Sequence, residues 1–273
     1  MQVAEIFEKA SGKLPMVPKV VQELVASFHR NDVAIDEITD KVGHDQVLTA
    51  RVLRLANSAR FGSSRKVGSL DDAVVLLGFD NLRVLVIASG VTGATQGIHG
   101  FDMKAFWARC FAMANTAKLL AKLAGRDAQL GYTCGLLANI GELVLYVAVP
   151  EQAQQIDKIV AGGAERISTE RMLLGMDLTE LGAELARRWN FPDEIQEAIY
   201  NQHDLLNEDA SPYALLIGLA TFLVSGFRNE MSVTDMLVSL PERVLERLGL
   251  DRARVEGAME PLQQACIQVD DMF

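Results

Sequence analysis

The sequence predicts an all-α fold, built as a two-lobed helical bundle. Three observations carry that prediction. Almost every apolar stretch recurs with helical spacing, and no long stretch alternates cleanly between apolar and polar residues. Aromatic residues make up only 6% of the chain while Ala, Leu, Glu and Arg are plentiful, a balance that favours helix over strand. Cap residues, prolines and glycines also mark where helices start and stop. At 273 residues, 49% of them hydrophobic and 23% charged, the chain is globular in composition and needs no disulfide or metal staple.

The elements follow in order. Leu14-Pro15-Met16-Val17-Pro18 opens a helix to about Phe28, because proline is tolerated in a first turn. Asp36 starts a short helix that ends near Gly43, and Gln46–Ser58 is another, stopped by the turn Phe61-Gly62-Ser63-Ser64. Asp45 is placed as the N-cap of that second helix, with Asn57-Ser58 closing its end. Ser69 caps the next helix, with Asp72 at the capping-box position and Gly78 as its stop. A further helix covers Asn81–Val91, and Gly90, Gly93, Gly97 and Gly100 then break the chain. Beyond this boundary, helices are expected near 102–124, 127–139, 141–148, 150–162, 168–174, 178–190, 192–203 and 212–227. Shorter pieces follow at about 232–239, 240–248 and 251–270. The lobes are therefore 1–97 and 98–273, packed on each other as one integrated unit because no Pro- or Ser-rich linker separates them.

Charge and cysteine usage exclude several functions. Acids outnumber bases 36 to 26, a net charge of −10, which argues against sequence-independent binding to DNA phosphates. Cys110, Cys134 and Cys266 are odd in number and lack CxxC spacing, so neither a disulfide framework nor a thiolate zinc site is expected, and a cytoplasmic setting fits. MQVAEIFEKA does not read as a signal peptide. The uncharged stretch Tyr213–Phe227 is shorter than the roughly 20 residues a bilayer needs, so it reads as a buried core helix. No GxGxxG after a strand, no phosphate-binding loop and no GxSxG elbow occurs.

Several ordered segments carry a resemblance. They are Leu14-Pro15-Met16-Val17-Pro18-Lys19-Val20-Val21, then Leu48-Thr49-Ala50-Arg51-Val52-Leu53-Arg54-Leu55-Ala56-Asn57-Ser58, then Ser69-Leu70-Asp71-Asp72-Ala73-Val74-Val75-Leu76-Leu77-Gly78. In the second lobe, Gly135-Leu136-Leu137-Ala138-Asn139-Ile140-Gly141-Glu142-Leu143, Glu170-Arg171 through Trp189, Phe191-Pro192 and Ala198–Asp204 continue it. In order and spacing, over roughly 13–225, these resemble the HDOD family, the HD-related output domains of bacterial signalling proteins. The resemblance implies an HD-phosphohydrolase-like second lobe behind a family-specific first lobe.

HD phosphohydrolases hold a divalent metal with a His, a His-Asp pair and a later Asp, since a bound metal generates hydroxide and clamps phosphoryl oxygens. Carried over by position, the first His falls on Arg109, the pair on Ala138-Asn139 and the later Asp on Thr221. A further histidine of the dinucleotide-cleaving relatives falls on Leu178. A guanidinium cannot ligate a metal and Ala138 has no donor atom, so no metal or other cofactor is expected. His44-Asp45 and His203-Asp204 spell HD outside the motif, and His29 and His99 have no partner at ligand spacing. On a helical wheel Arg109 lies within about 60° of Phe106, Met113, Thr116 and Leu120, and about 180–240° from Asn115, Lys118 and Lys122. It is therefore expected to point toward the former metal cavity, paired with Glu142 or Asp204 or bonded to Asn139, since an unpaired buried charge is costly. The alternative is an arginine that snorkels to water.

The candidate pocket residues are thus Arg109, Asn139, Glu142, His203 and Asp204. A second candidate is the basic stretch Arg51, Arg54, Arg60, Arg65 and Lys66, which has no acid within it. Arg54 reads best as a solvated helix face, and Arg51, Arg60, Arg65 and Lys66 remain a candidate interaction surface for an anion or an acidic partner. The expected function is a non-catalytic signal-transduction protein that binds other signalling proteins, a small molecule or a nucleotide. Two alternatives stand beside it, a divergent metal-dependent phosphohydrolase and a small-anion or nucleotide sensor that uses the vacated pocket.

Overall fold

A computed structural model describes residues 2–14, 16–26, 39–40, 42–57, 67–78, 82, 85–90, 98 and 100–267. Among these the only regular structure is helix. Within the bounds expected for the first lobe lie α1 (Val3–Lys9), α2 (Lys19–Ala26), α3 (Gln46–Ala56), α4 (Leu70–Leu77) and a helical run over 85–90. The second begins with α5 (Met103–Leu123), α6 (Ala128–Leu137), α7 (Gly141–Ala148), α8 (Pro150–Ala161), α9 (Arg166–Leu174), α10 (Leu178–Arg188), α11 (Asp193–Asn201) and α12 (Pro212–Arg228). It ends with α13 (Val233–Val238), α14 (Glu242–Leu248), α15 (Arg252–Glu256) and α16 (Met259–Ile267).

The caps explain most boundaries. Asp45 accepts from the backbone N–H groups of Val47 and Leu48 at 3.0 and 2.9 Å and so starts α3. Ser69 accepts from Asp72 N–H at 3.0 Å at the head of α4, and Gly78 ends that helix at a φ of 78° that other residues resist. Asp102, Asp127, Glu165 and Asp177 cap α5, α6, α9 and α10. Three differences from expectation stand out. α1 was not anticipated; its Glu5 carboxylate reaches back to the Gln2 N–H at 3.1 Å. α9 begins at Arg166 because Glu165 caps it, and the expected final helix divides into α15 and α16, with Gly257 closing the first. The helix start at Asp36, the turn over 61–64, Ser58, Gly93, Gly97, His29 and His99 lie outside the described residues.

Asn57 ends α3 by a two-way clamp. Its amide N–H donates to the carbonyls of Leu53 and Val67 at 2.7 and 2.8 Å, and its carbonyl accepts from Val67 N–H at 2.8 Å. The same side chain therefore closes a helix and fixes where the chain re-enters toward α4, which fits the capping role read from the sequence.

α5 is the axis of the second lobe. From Phe106 to Ala117 every residue except Arg109 is buried, the pattern of a helix enclosed on all sides. α6 lies along it at backbone contact: a Cβ on Gly135 would stand 2.7 Å from the Met113 carbonyl oxygen and 2.8 Å from Ala114 Cα. Asn115, on the face predicted to be polar, is buried and donates to the Ala265 carbonyl at 3.3 Å, because α16 covers that side. The apolar α12 is buried over most of its length. One helical stretch among the described residues, Ala128–Ala148, is long and apolar enough to cross a membrane, and 89% of its most apolar window is buried inside the fold.

One contiguous buried cluster runs from Ile6 to Leu262 and draws on both lobes. The Arg188 guanidinium stacks 4.2 Å over the Phe7 ring, and Asn190 donates to the Gln22 side-chain carbonyl at 3.3 Å. Gly141 opens α7 where α10 begins, and a Cβ there would lie 1.9 Å from the Leu178 carbonyl oxygen, a backbone contact that cannot yield. Gly141→Ala is expected to cost about 3 kcal/mol and to lower the melting temperature by roughly 5–10 °C. An unchanged thermal melt would contradict this packing.

Candidate functional site

Three elements build a cleft of about 250 Å³. α5 contributes Arg109 and Met113, the α6–α7 junction contributes Asn139, and the C-terminal half of α12 contributes Thr221, Val224, Ser225 and Arg228, followed by Asn229. Arg109 is the one residue in the buried run of α5 that reaches water, with its side chain 35% exposed. Its Nη2 donates to Glu142 Oε2 at 2.7 Å, and the carboxylate is only 6% exposed. The guanidinium also lies 5.9 Å from the centre of the Phe106 ring. Of the three partners expected for Arg109, Glu142 is the one it meets.

The structure thus gathers Arg109, Asn139 and Thr221 on one cleft, with Glu142 bonded to Arg109, and places the other candidates apart. Ala138 is wholly buried, and its carbonyl accepts from Gln202 Nε2 at 2.8 Å. Leu178 is buried in the first turn of α10, where its N–H donates to Glu170 Oε2 at 2.7 Å. The Thr221 hydroxyl donates to the Ile217 carbonyl at 3.0 Å within its own helix. His203 and Asp204 do not belong with Arg109, which corrects the single-pocket expectation. They line a second cleft of about 530 Å³ with Glu165, Arg171, Thr179, Glu180, Tyr200 and Asn201. The reason is local: Gln202 turns inward past the end of α11 to hold Ala138, and the two residues after it stay exposed. In the first lobe Arg51 is half-buried and Arg54 exposed, while Arg60, Arg65 and Lys66 lie outside the described residues.

The donor set at these positions does not fit a divalent cation. A guanidinium has only N–H donors and a methyl group has none, so Asn139 and Thr221 are left to offer two neutral oxygens and no imidazole or carboxylate. Among the described residues no three His, Cys, Asp or Glu side chains come together as ligands.

Glu142 also acts on a second group of charges, centred on Arg166. Arg166 bonds the carboxylates of Asp157 and Glu170, and the Tyr146 hydroxyl donates to Asp157. Burial works against the Arg166 charge, but Glu142, Asp157 and Glu170 outweigh it and hold the guanidinium above its ordinary value. Burial followed by the bond to Asp157 pushes the Tyr146 phenol up, and burial does the same to the Cys110 thiol. Glu170 is fully enclosed, and desolvation pushes its carboxyl up to about 7 despite the Leu178 N–H and Arg166. Sequence reading missed this group, together with Gln202, Ser225, Arg228 and Asn229. The one available signal was Arg228, the first charge after the long uncharged stretch of α12.

The family model of the HDOD domain matches residues 14–205. The chain belongs to the HDOD family. Solved structures follow its course. An HDOD domain protein with unknown function from Geobacter sulfurreducens superposes with a TM-score of 0.84 at 27% identity, covering 99% of this chain and 98% of that one. A "Putative phosphohydrolase" from Shewanella amazonensis SB2B gives 0.79 at 33% identity, covering 98% of each. A "Putative signal transduction protein" from Marinobacter aquaeolei VT8 gives 0.79 at 26% identity, covering 95% of this chain and 60% of that one. An uncharacterized protein of Treponema pallidum (strain Nichols) is 28% identical over 216 residues, 77% of this chain, which spans 42% of that relative's length. The HDOD match covers all the cleft residues up to Asn139, whereas those of α12 lie beyond it.

Two measurements check the buried charges. Arg109→Met strands the Glu142 carboxylate, and the expected cost is about 2 kcal/mol, less than a wholly enclosed pair would lose because water reaches Arg109. A thermal melt reads it as a midpoint roughly 4–8 °C lower, and an unchanged midpoint would contradict the pairing. Glu170 holds its proton more tightly folded than unfolded, so its contribution to stability falls as pH rises from the ordinary carboxylate range through about 7. Glu170→Gln is expected to remove that part of the slope in urea melts between about pH 5 and about pH 8. A slope identical to that of the unmodified chain would contradict it.

Proposed function

We propose that this HDOD protein is a non-catalytic regulatory component of signal transduction that acts by binding, with other signalling proteins or a small ligand as its partners. Its family membership and its likeness to the Marinobacter signal transduction protein support the signalling part of the reading. One observation carries the non-catalytic part: the Arg109–Glu142 ion pair stands where the first metal ligand of an HD phosphohydrolase would fall. A guanidinium supplies positive charge, as a metal does, but it has no coordination site at which water could become hydroxide. The charge is retained and the reaction is not. Three unpaired thiols, two of them buried, suit a reducing compartment, and we place the protein in the cytoplasm.

The test is hydrolysis of a cyclic dinucleotide and of bis(p-nitrophenyl) phosphate with Mn²⁺ or Mg²⁺, combined with elemental analysis of the purified chain. The expected result is no turnover above buffer and substoichiometric metal. Stoichiometric metal with turnover would overturn the reading in favour of a divergent phosphohydrolase, the role suggested by the name of the Shewanella protein.

A further inference from the structure

We infer that the cleft between Arg109 and Arg228 is a binding site for a phosphoryl anion, either free phosphate or the phosphate end of a small phosphomonoester. The inference rests on the non-catalytic reading and names the ligand class. Arg228 lines the cleft and makes no hydrogen bond or ion pair among the described residues, and the side chains of Asn139, Ser225 and Asn229 are likewise unengaged there. Arg109 spends one N–H group on Glu142 and keeps the rest of its fork. Among the described residues two guanidiniums stand against one carboxylate here, a positive balance in a chain whose net charge is −10.

Shape narrows the ligand further. The donors come from three separate elements, α5, the α6–α7 junction and the end of α12, so they approach an occupant from different directions. A tetrahedral oxyanion presents oxygens in all those directions, whereas a flat carboxylate is used up by a single guanidinium fork. A volume of about 250 Å³ is also below the range usual for drug-sized ligands and suits phosphate with a small substituent.

The experiment is calorimetric titration of the full chain with sodium phosphate, glycerol 3-phosphate and, as a planar control, sodium acetate. Saturable binding of phosphate or glycerol 3-phosphate is expected, with acetate weaker by at least about tenfold. The stronger of the two identifies free phosphate or an ester as the better fit. Arg228→Gln is expected to weaken that binding by at least about tenfold with an unchanged melting temperature, because Arg228 is exposed and has no ion pair among the described residues. No saturable heat with either phosphate compound up to about 10 mM, acetate binding as tightly, or full binding by Arg228→Gln would overturn the assignment. Release of phosphate from glycerol 3-phosphate during the titration would instead overturn the non-catalytic reading, so the two failures are distinguishable.

Discussion

A carboxylate buried in an apolar helical lobe must be neutralised, and Glu142 sets that requirement here. It sits at the head of α7, 6% exposed, where the chain has just crossed from α6 and where Gly141 presses against α10. Desolvating such a charge costs several kcal/mol unless a partner of good geometry restores what water supplied. Arg109 provides that partner at 2.7 Å from the central helix, and Arg166 lies close enough for Glu142 to raise its basicity from the other side. The pair adds little net stability, because Glu142 has surrendered its solvation and Arg109 part of its own. Its consequence is positional: α5 and α7 are held in one register, and the other guanidinium N–H groups are left facing the cleft.

The packing of the frame does not depend on this charged pair. The close contact of α6 with α5 depends on the small residues Gly131, Gly135, Ala117 and Ala121, none of which takes part in the charge network. The packing of the frame and the chemistry of the site therefore reside in different residues. This separation is consistent with a TM-score of 0.79 to the Shewanella protein at only 33% identity.

Helices, caps and family were legible because they depend on local chemistry. Asp45, Ser69 and Gly78 act through bonds within four residues, and the segment ending at Asn57 carries its own clamp to Val67. The Arg109–Glu142 pair was within reach because a helical wheel turns Arg109 toward the apolar side and Glu142 is the acid nearest Ala138-Asn139. His203 and Asp204 were misplaced because a periodic reading extends α11 in the same phase, whereas Gln202 turns inward and shifts everything after it. Arg228 and Asn229 were missed because their role depends on where α12 ends relative to α5, a distance no spacing rule contains. The linked set of Tyr146, Asp157, Arg166 and Glu170 was invisible for a related reason. Three helices supply it, and each of its members reads alone as a surface residue.

We propose that the fixed guanidinium of Arg109 stands where HD phosphohydrolases hold a metal ion. Anomalous diffraction from crystals grown with excess Mn²⁺ distinguishes the two. No anomalous peak bonded to side chains around Asn139 is expected, with the Arg109–Glu142 contact intact. A manganese peak coordinated there, with Arg109 swung away from Glu142, would contradict it.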